Sequence, residues 1–583
     1  MLASIFRFVY RSFSRNVTFS VITLSSLVLG ITTALLMFLW IEYEITYNKS
    51  LIGSDRMYAL LINDTVDGEI HTEEGTDLSL MDFLAHDVPE IEAVTRINNA
   101  RVVLSHGEKS MQRMGVHGDS SFFQVHVPSF VSGNPKDALS NPRSIVVSQK
   151  LALELFGTEN VLGKTLTIDH KDEFLIGAVF ANFPENSDFD YFDFVLPWAA
   201  RSPDEDNWIN HDIKLFDPSQ REAVQKRIDQ QIAVLSPEHP VSSFLFCVAD
   251  WHLHWNFENG RPSGGRIVYV IAFGIATLFV LIMSCVNYMN IATARATKRT
   301  REIGVRKMTG ATQSVLIRQF MTESLIMTTA AMALSVLCVR LLLPAFHQLV
   351  GVRLNFSILD PTILLGSFGI VLFTGLLAGS YPALVLSSFK PAVVLKGNLY
   401  TNLSGAGFRN ALVVLQFTLS VVMIFCALVL WRQTDYLLKK DLGYDKHRVL
   451  NIWMDKVNTS FDNLRSMVMA HAGVESAAFS GASPMEINGY ADCNRVTDPL
   501  PTPLPFYGVN IDDEVLSLLK FELVAGRNFS RTLASDSNNF IVTESAARLL
   551  GFNEPVGQRI SYTMYSQQEG EIVGVVKDFQ NDD

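Results

Sequence analysis

Three stretches of this 583-residue chain hold residues whose types and spacing could do chemistry. The first is GTENVLGKT, Gly157 to Thr165, a glycine-bracketed loop of the kind whose backbone N–H groups cradle a phosphate. A phosphate-binding loop has four residues between its glycines, whereas here five intervene, so no nucleotide site is expected. The second is ADWHLHW, in which Asp250, His252 and His254 alternate and on a strand would project to one face as metal ligands do. A structural hydrogen-bonding role is favoured over a metal site, because the stretch leads directly toward a long apolar segment. The third is a basic run, REIGVRK, in which Arg301, Glu302, Arg306 and Lys307 offer charge beside apolar Ile303 and Val305. On residue chemistry alone this run serves equally for docking a protein partner or for contacting anionic lipid headgroups. No Ser-His-Asp set, HExxH or paired-carboxylate motif is readable, so no catalytic residue, cofactor or metal ion is assigned and the chain reads as no enzyme.

The elements that hold these stretches are dominated by lipid. At 48% hydrophobic and 18% charged residues, the chain is greasier than a soluble protein of this length. Val17 to Ile41 is an uncharged run of roughly 37 Å as a helix, enough for a hydrocarbon core of about 30 Å. It runs directly into Glu42 with no small-residue cleavage site, which reads as an uncleaved anchor. Four further segments qualify: 267–292, 324–346, 362–386 and 410–431. The third span contains Arg340, which must pack against other helices or snorkel. The fourth carries Gly366, Gly369, Gly375, Gly379 and Pro382, a small-residue face suited to close packing and a kink.

Orientation follows from Lys and Arg in the short loops. Residues 1–16 hold Arg7, Arg11 and Arg15; 295–318 hold seven bases; 387–409 hold Lys390, Lys396 and Arg409. These belong inside, so the expected layout is a cytoplasmic N-terminus (1–16), span 1 (17–41), a first extracytoplasmic domain (42–265), span 2 (267–292) and a cytoplasmic segment (293–323). Span 3 (324–346), span 4 (362–386), a cytoplasmic linker (387–409), span 5 (410–431) and a second extracytoplasmic domain (432–583) complete it. Glu42 to Gly265 carries 35 acids against 17 bases while the rest is net basic, which argues against a nucleic-acid partner. Three of the five cysteines (Cys285, Cys338, Cys426) lie in apolar segments, and Cys247 and Cys493 fall in different domains, so no disulfide framework is expected.

The chain repeats itself. RNVTFSVITLSSLVLG from Arg15 echoes RNALVVLQFTLSVVMI from Arg409, an offset of 409 − 15 = 394. Within the soluble parts, Gly157 and Gly163 match Gly551 and Gly557 at the same offset, so duplication is the better explanation. Each unit then runs helix, large domain, three more helices, and the second unit ends near its counterpart of Ser187. By that logic about 217 residues (404 − 187) are missing, and a complete protein of about 800 residues with eight spans is expected. Short β-rich runs (SIVVS, TLTI, FLIGAVF) alternating with helical ones (QKLALELF, SQREAVQKRIDQQIAVL) predict mixed α/β, α+β domains, the second incomplete.

Residues 286–326, VNYMNIATARATKRTREIGVRKMTGATQSVLIRQFMTESLI, closely resemble the signature of FtsX-like permeases, the membrane subunits of the MacB type of ABC transporter. The shared pattern is an Asn-rich helix end, bases around R-E-I-G-x-R-K, a G-A turn and Q-F-x-x-E-S-L. Met308 and Thr309 depart mildly from the usual valine-leucine before the turn. IEYEITYNKSLIGSDRMYAL, LFGTENVLGKTL, IGAVFANFPENSDFDYFDFVLP and YPALVLSSFKPAVVLKG look like the MacB-type periplasmic core domain and its flanks. ADWHLHW likewise matches a D-x-H-L pattern of that domain.

The resemblance implies an ABC permease subunit for efflux or mechanotransmission in a bacterial cytoplasmic membrane. It also implies a separate cytoplasmic ATPase, as a dimer, with the bilayer and an envelope or periplasmic adaptor as further partners. Arg301, Glu302, Ile303, Gly304, Arg306, Lys307, Gly310 and Ala311 would form the element seated on that ATPase. The competing class is a membrane receptor or scaffold whose outer domains sense a ligand without transport.

Overall fold

The computed structural model describes residues 17–583 except 67–68, 77–78, 202–208, 238–240, 388–404, 453, 455–459, 484–486, 488–489, 498, 501–502, 564–566 and 581–583. The side chains of 17–20, 66, 69, 135–136, 294–304, 385–387, 405–406, 408–409, 490 and 567 are outside the description as well. The expected cytoplasmic N-terminus with Arg7, Arg11 and Arg15, and most of the expected 387–409 linker, thus lie outside the described residues. The chain divides into two compact units, Met1–Met423 and Ile424–Asp583.

Among the described residues, five helices are long and apolar enough to cross a membrane: Val21–Thr46, Ile267–Thr293, Gln313–Val350, Pro361–Leu384 and Asn410–Lys439. In the first unit, span 1 buries Leu27, Ile31, Leu35 and Leu39, an i, i+4 stripe, against Leu281 and Cys285 of span 2, Met327, Ala331 and Val339 of span 3, and Ala378 of span 4. Lipid tails are as apolar as leucine, so the helices are also held by close approach and by polar bonds. Asn287 Nδ2 donates to Ser26 Oγ at 2.6 Å, Ser335 Oγ donates to the Val28 carbonyl at 3.1 Å, and the Tyr288 and Ser324 hydroxyls meet at 3.2 Å. The glycine face of span 4 does what its composition suggests at three positions. A side chain on Gly375 or Gly379 would strike Leu325 or Ser324 of span 3, and one on Gly366 would strike Phe38 of span 1. Gly369 has open space. Arg340 is exposed on span 3, facing away from the helix bundle.

Between spans 1 and 2 sits an eleven-stranded mixed sheet. Its strands run in the order Ser242–Cys247, Met57–Val66, Asn210–Leu215, Ile91–His106, Lys109–Gly118, Phe194–Pro197, Ser144–Ser148, Asp172–Phe180 and Phe130–Gly133, with Glu69–Glu74 and Thr165–Ile168 paired at the side. SIVVS is buried at every position and lies parallel to Asp172–Phe180 in the middle of the sheet, where a strand has no solvent face. Helix Arg221–Leu235 buries Val224, Ile228 and Ile232 at i, i+4 spacing against Leu60, Ile213 and Leu245. The other major core is aromatic: Phe122, Phe180, Phe183, Phe189 and Phe192 pack together.

The second unit holds a six-stranded sheet, Leu504–Tyr507, Tyr490–Arg495, Arg559–Thr563, Gln567–Val576 and Leu523–Gly526 in order, with Phe540–Thr543 parallel to Gln567–Val576. Its core is small, built on Cys493, Leu550, Ile560, Ile572 and Val575.

Candidate functional site

The basic segment does not form a separate short helix between spans 2 and 3. A single helix runs from Ile267 through the basic residues to Met308, about 63 Å at 1.5 Å per residue and twice the thickness of a hydrocarbon core. The reason is local: from Ala292 onward the segment is rich in Ala, Arg and Lys, strong helix formers, and Gly304 alone is too small a penalty to break it. The helix stops at a Schellman turn. The Ala311 N–H donates to the Arg306 carbonyl at 3.0 Å and the Gly310 N–H to that of Lys307 at 3.1 Å, with Gly310 at φ +97°. A side chain on Gly310 would meet nothing within 4 Å, so its role is to adopt the left-handed backbone.

Span 3 begins at Gln313, so the two helices make a hairpin with a four-residue turn, Thr309 to Thr312. Arg306 Nη1 donates to Gln319 Oε1 at 2.9 Å and braces one arm against the other. Of the eight proposed site residues, Arg306, Lys307, Gly310 and Ala311 sit together at the tip. The backbone of Arg301 to Gly304 continues the same helix, and their side chains lie outside the described residues. Around the tip, Val305 is 58% exposed and Met308 67%, with Val315 also exposed on the other arm. Met308 and Val315 were not legible as site residues. The only signal at Met308 is its mild departure from the family's valine-leucine pair, an apolar-for-apolar change.

ADWHLHW is not a strand. Val248–Asp250 is a 3₁₀ turn and Trp251–His254 one turn of helix, so the alternation that would align Asp250, His252 and His254 on one face is absent. Among the described residues no group of three His, Cys, Asp or Glu side chains could hold a metal ion. His252 turns instead toward span 1, where its Nε2 lies 2.6 Å from Glu44 Oε2. The reading of this motif as structural hydrogen bonding matches that contact.

In GTENVLGKT several backbone amides, among them those of Asn160, Val161, Gly163 and Lys164, have protein partners. Ser148 Oγ caps the preceding helix Gln149–Phe156 by accepting from the Leu151 N–H, and Gly157 ends it at φ +71°. The Gly163 N–H donates to the Ile176 carbonyl at 3.0 Å and the Lys164 N–H to that of Val161 at 3.1 Å. Lys164 Nζ sits 5.1 Å above the Phe156 ring.

A cleft of about 410 Å³ opens in the first α/β domain beside His252, lined among others by Glu74, Asp188, Tyr191, His211, Asp212 and Trp251. Burial, together with the nearby Asp212 and Asp188 carboxylates, pushes the Glu74 carboxyl up to about 7. Burial, helped by the Arg96 guanidinium, lowers His211 to about 4.

Packed apolar helices, a helical hairpin at the far end of span 2 and a large α/β domain inserted between spans 1 and 2 define the architecture of a polytopic membrane protein. Residues 20–231 match the MacB-like periplasmic core domain and residues 274–391 the FtsX-like permease C-terminal domain. The chain thus combines a MacB-like periplasmic core domain with an FtsX-like permease domain. It is 26% identical over 312 residues to the macrolide export ATP-binding/permease protein MacB of Shewanella sp. (strain W3-18-1), covering 52% of this chain and 46% of that protein. It is 23% identical over 320 residues to the pyoverdine export ATP-binding/permease protein PvdT of Pseudomonas aeruginosa, covering 53% and 46%. The chain therefore spans just under half the length of the curated relatives it matches. Among solved structures, the periplasmic region of MacB from Actinobacillus actinomycetemcomitans aligns with 33% of this chain and 89% of that one, at 16% identity and a TM-score of 0.27.

Proposed function

We propose that this chain is the permease subunit of an ABC-type efflux or mechanotransmission system in a bacterial inner membrane, driven by ATP hydrolysis in a separate cytoplasmic subunit. The observation that carries the reading is the hairpin tip. Span 2 extends as one helix well past the thickness of the membrane and ends in a braced turn with Val305, Met308 and Val315 exposed beside Arg306 and Lys307. Exposed apolar side chains ringed by charge are the composition of a protein-docking surface, whereas headgroup contact alone needs only the bases. A helix continuous from docking tip to span can pass a push from the ATPase into the bundle, since it has no break at which to flex. The basic loops place the hairpin and the N-terminus in the cytoplasm and both α/β domains outside, where they act on envelope substrates directly or through an adaptor. The named relatives export a macrolide and a pyoverdine; the substrate here belongs to the extracytoplasmic side in the same way.

The test is co-purification with a separately expressed candidate ABC ATPase subunit from the same organism, in lipid nanodiscs. V305E/M308E should reduce the bound ATPase at least tenfold, and R306E/K307E should abolish stimulation of its activity. Wild-type binding and stimulation in both variants would overturn the assignment of the hairpin, and a wild-type chain that binds no ATPase would leave sensing without transport as the better description.

A further inference from the structure

Span 1 passes into the first α/β domain without an intervening loop. Its helix continues to Thr46, and in the last turn the Glu44 carboxylate is 3% exposed, 2.6 Å from His252 Nε2 and 3.8 Å from Arg266 Nη1. The Tyr47 ring stacks on His252 with centroids 3.7 Å apart and planes 13° from parallel. One residue later Asn48, fully buried and at φ +61°, turns the chain. Its Nδ2 donates to Asp188 Oδ2 at 2.7 Å and to the Val248 carbonyl at 2.9 Å, its Oδ1 accepts from the Asp188 N–H at 2.9 Å, and its own N–H donates to the Asn186 carbonyl at 2.9 Å. The outer end of span 1 is thus gripped by two separate parts of the domain, around Asn186 to Asp188 and around Val248 to His252. The second of these leads within 14 residues to Arg266, the residue that caps span 2.

We propose that Glu44 and His252 are positioning residues that lock span 1, span 2 and the first α/β domain into one rigid joint, through which movement of the two spans becomes movement of the domain. The proposal rests on the functional reading above. A greasy contact could slide, because hydrophobic attraction is non-directional, but a buried, charge-assisted hydrogen bond backed by a stacked ring holds both distance and orientation. At a carboxylate so enclosed, the short ring-backed contact sets distance and orientation together, with Arg266 at 3.8 Å as the other ion-pair partner, so the joint has one favoured geometry.

The experiment uses the whole protein with its ATPase in nanodiscs, carrying spin labels at Glu108 on the α/β domain and Leu359 between spans 3 and 4, in a cysteine-free background. Label distance is measured without nucleotide and with ATP trapped by vanadate. E44A and H252A should keep bound ATPase and its basal activity within about twofold of wild type while the ATP-dependent change in distance falls at least threefold. H252Q, which keeps an N–H donor within reach of Glu44, should recover most of that change, an outcome that separates the joint from a general folding defect. Full displacement in E44A and H252A, or a loss in H252Q equal to that in H252A, would overturn the joint. A wild-type complex that shows no ATP-dependent displacement would overturn the functional reading itself.

Discussion

The two α/β domains were built to one plan and have kept different parts of it. In both, a strand leads through a hydroxyl cap into a short helix: Ser148 Oγ accepts from Leu151 N, and Thr543 Oγ1 accepts from Ala546 N. In both, glycines in the left-handed region follow, Gly157 and Gly163 at +71° and +74°, Gly551 and Gly557 at +75° and +88°. The Gly163 N–H donates to Ile176 O as the Gly557 N–H does to Ile572 O. Even the reach-back from the end of the last strand is repeated, since Asn182 Oδ1 accepts from the Lys150 N–H and Asp578 Oδ1 from the Ser545 N–H. What differs is the surroundings. The first domain has a large aromatic core and the Glu44–His252 contact, whereas the second has a small core built on Cys493, Leu550, Ile560, Ile572 and Val575 and ion pairs made by exposed arginines such as Arg527–Asp536. Backbone-determined turns survive duplication because only glycine or a capping side chain satisfies them; core and joint side chains need only suit their present neighbours and so diverge.

The comparison breaks if the domains do not melt separately. Phe122 is fully buried against the rings of Phe123, His126 and Phe192, and F122A should cost about 3–5 kcal/mol, lowering one calorimetric transition and leaving the other in place. A shift of both transitions would mean the domains unfold as one.

The pH dependence should differ next. Glu74 has its folded pKa raised to about 7, so its contribution is fully present below 4.5 and is lost as pH rises toward 7. His211 has its folded pKa lowered to about 4, so its contribution is present above 6.5 and is lost as pH falls toward 4. The two trends run in opposite directions over the same pH range and largely offset, so the first domain should vary by less than about 1 kcal/mol between pH 4 and 7. E74Q should unmask a loss of stability toward acid and H211Q a loss toward alkali, each on the order of 3 kcal/mol. In the second domain, Lys520 and His447 hold Asp445 down and Arg527 holds Asp536 down, so that domain should vary little from pH 5 to 8 and weaken only in stronger acid. Chemical denaturation followed by hydrogen exchange at each pH distinguishes the two.

A smaller and symmetric effect is expected at the shared turn. G157V and G551V should each cost about 1–2 kcal/mol, from forcing a β-branched residue into the left-handed region, and each only in its own domain. Unequal costs would show that the shared backbone is under different strain in the two copies. The smallest effect belongs to K164A, which removes a lysine with no nucleotide to bind: calorimetric titration with ATP should show no binding before or after the change. Saturable binding abolished by K164A would restore the phosphate-loop reading.

Much of this architecture was legible before any coordinates. Five apolar runs became five long helices, the glycines of span 4 became contacts with spans 1 and 3, and SIVVS and QKLALELF became the strand and helix their patterns predict. The reading was less successful where two local signals competed. The alternation in ADWHLHW suits a strand only if the segment is extended, and the 3₁₀ turn ahead of it removes that condition. The hydrophobic run ends near Ala292, yet helix propensity carries the same helix on to the glycine turn, which hydropathy alone does not mark.

The amino-acid sequence by itself determined where lipid must surround the chain, which turns require glycine, and that one unit copies another, because hydrophobic run length, backbone sterics and period are properties of neighbours along the chain. Tertiary structure alone decided that Glu44 meets His252 across 208 residues, that Arg306 braces Gln319, and that Met308 and Val315 stand exposed at one tip. A contact of that kind depends on how spans and sheet stack, and neither partner carries a mark of the other in the residues beside it.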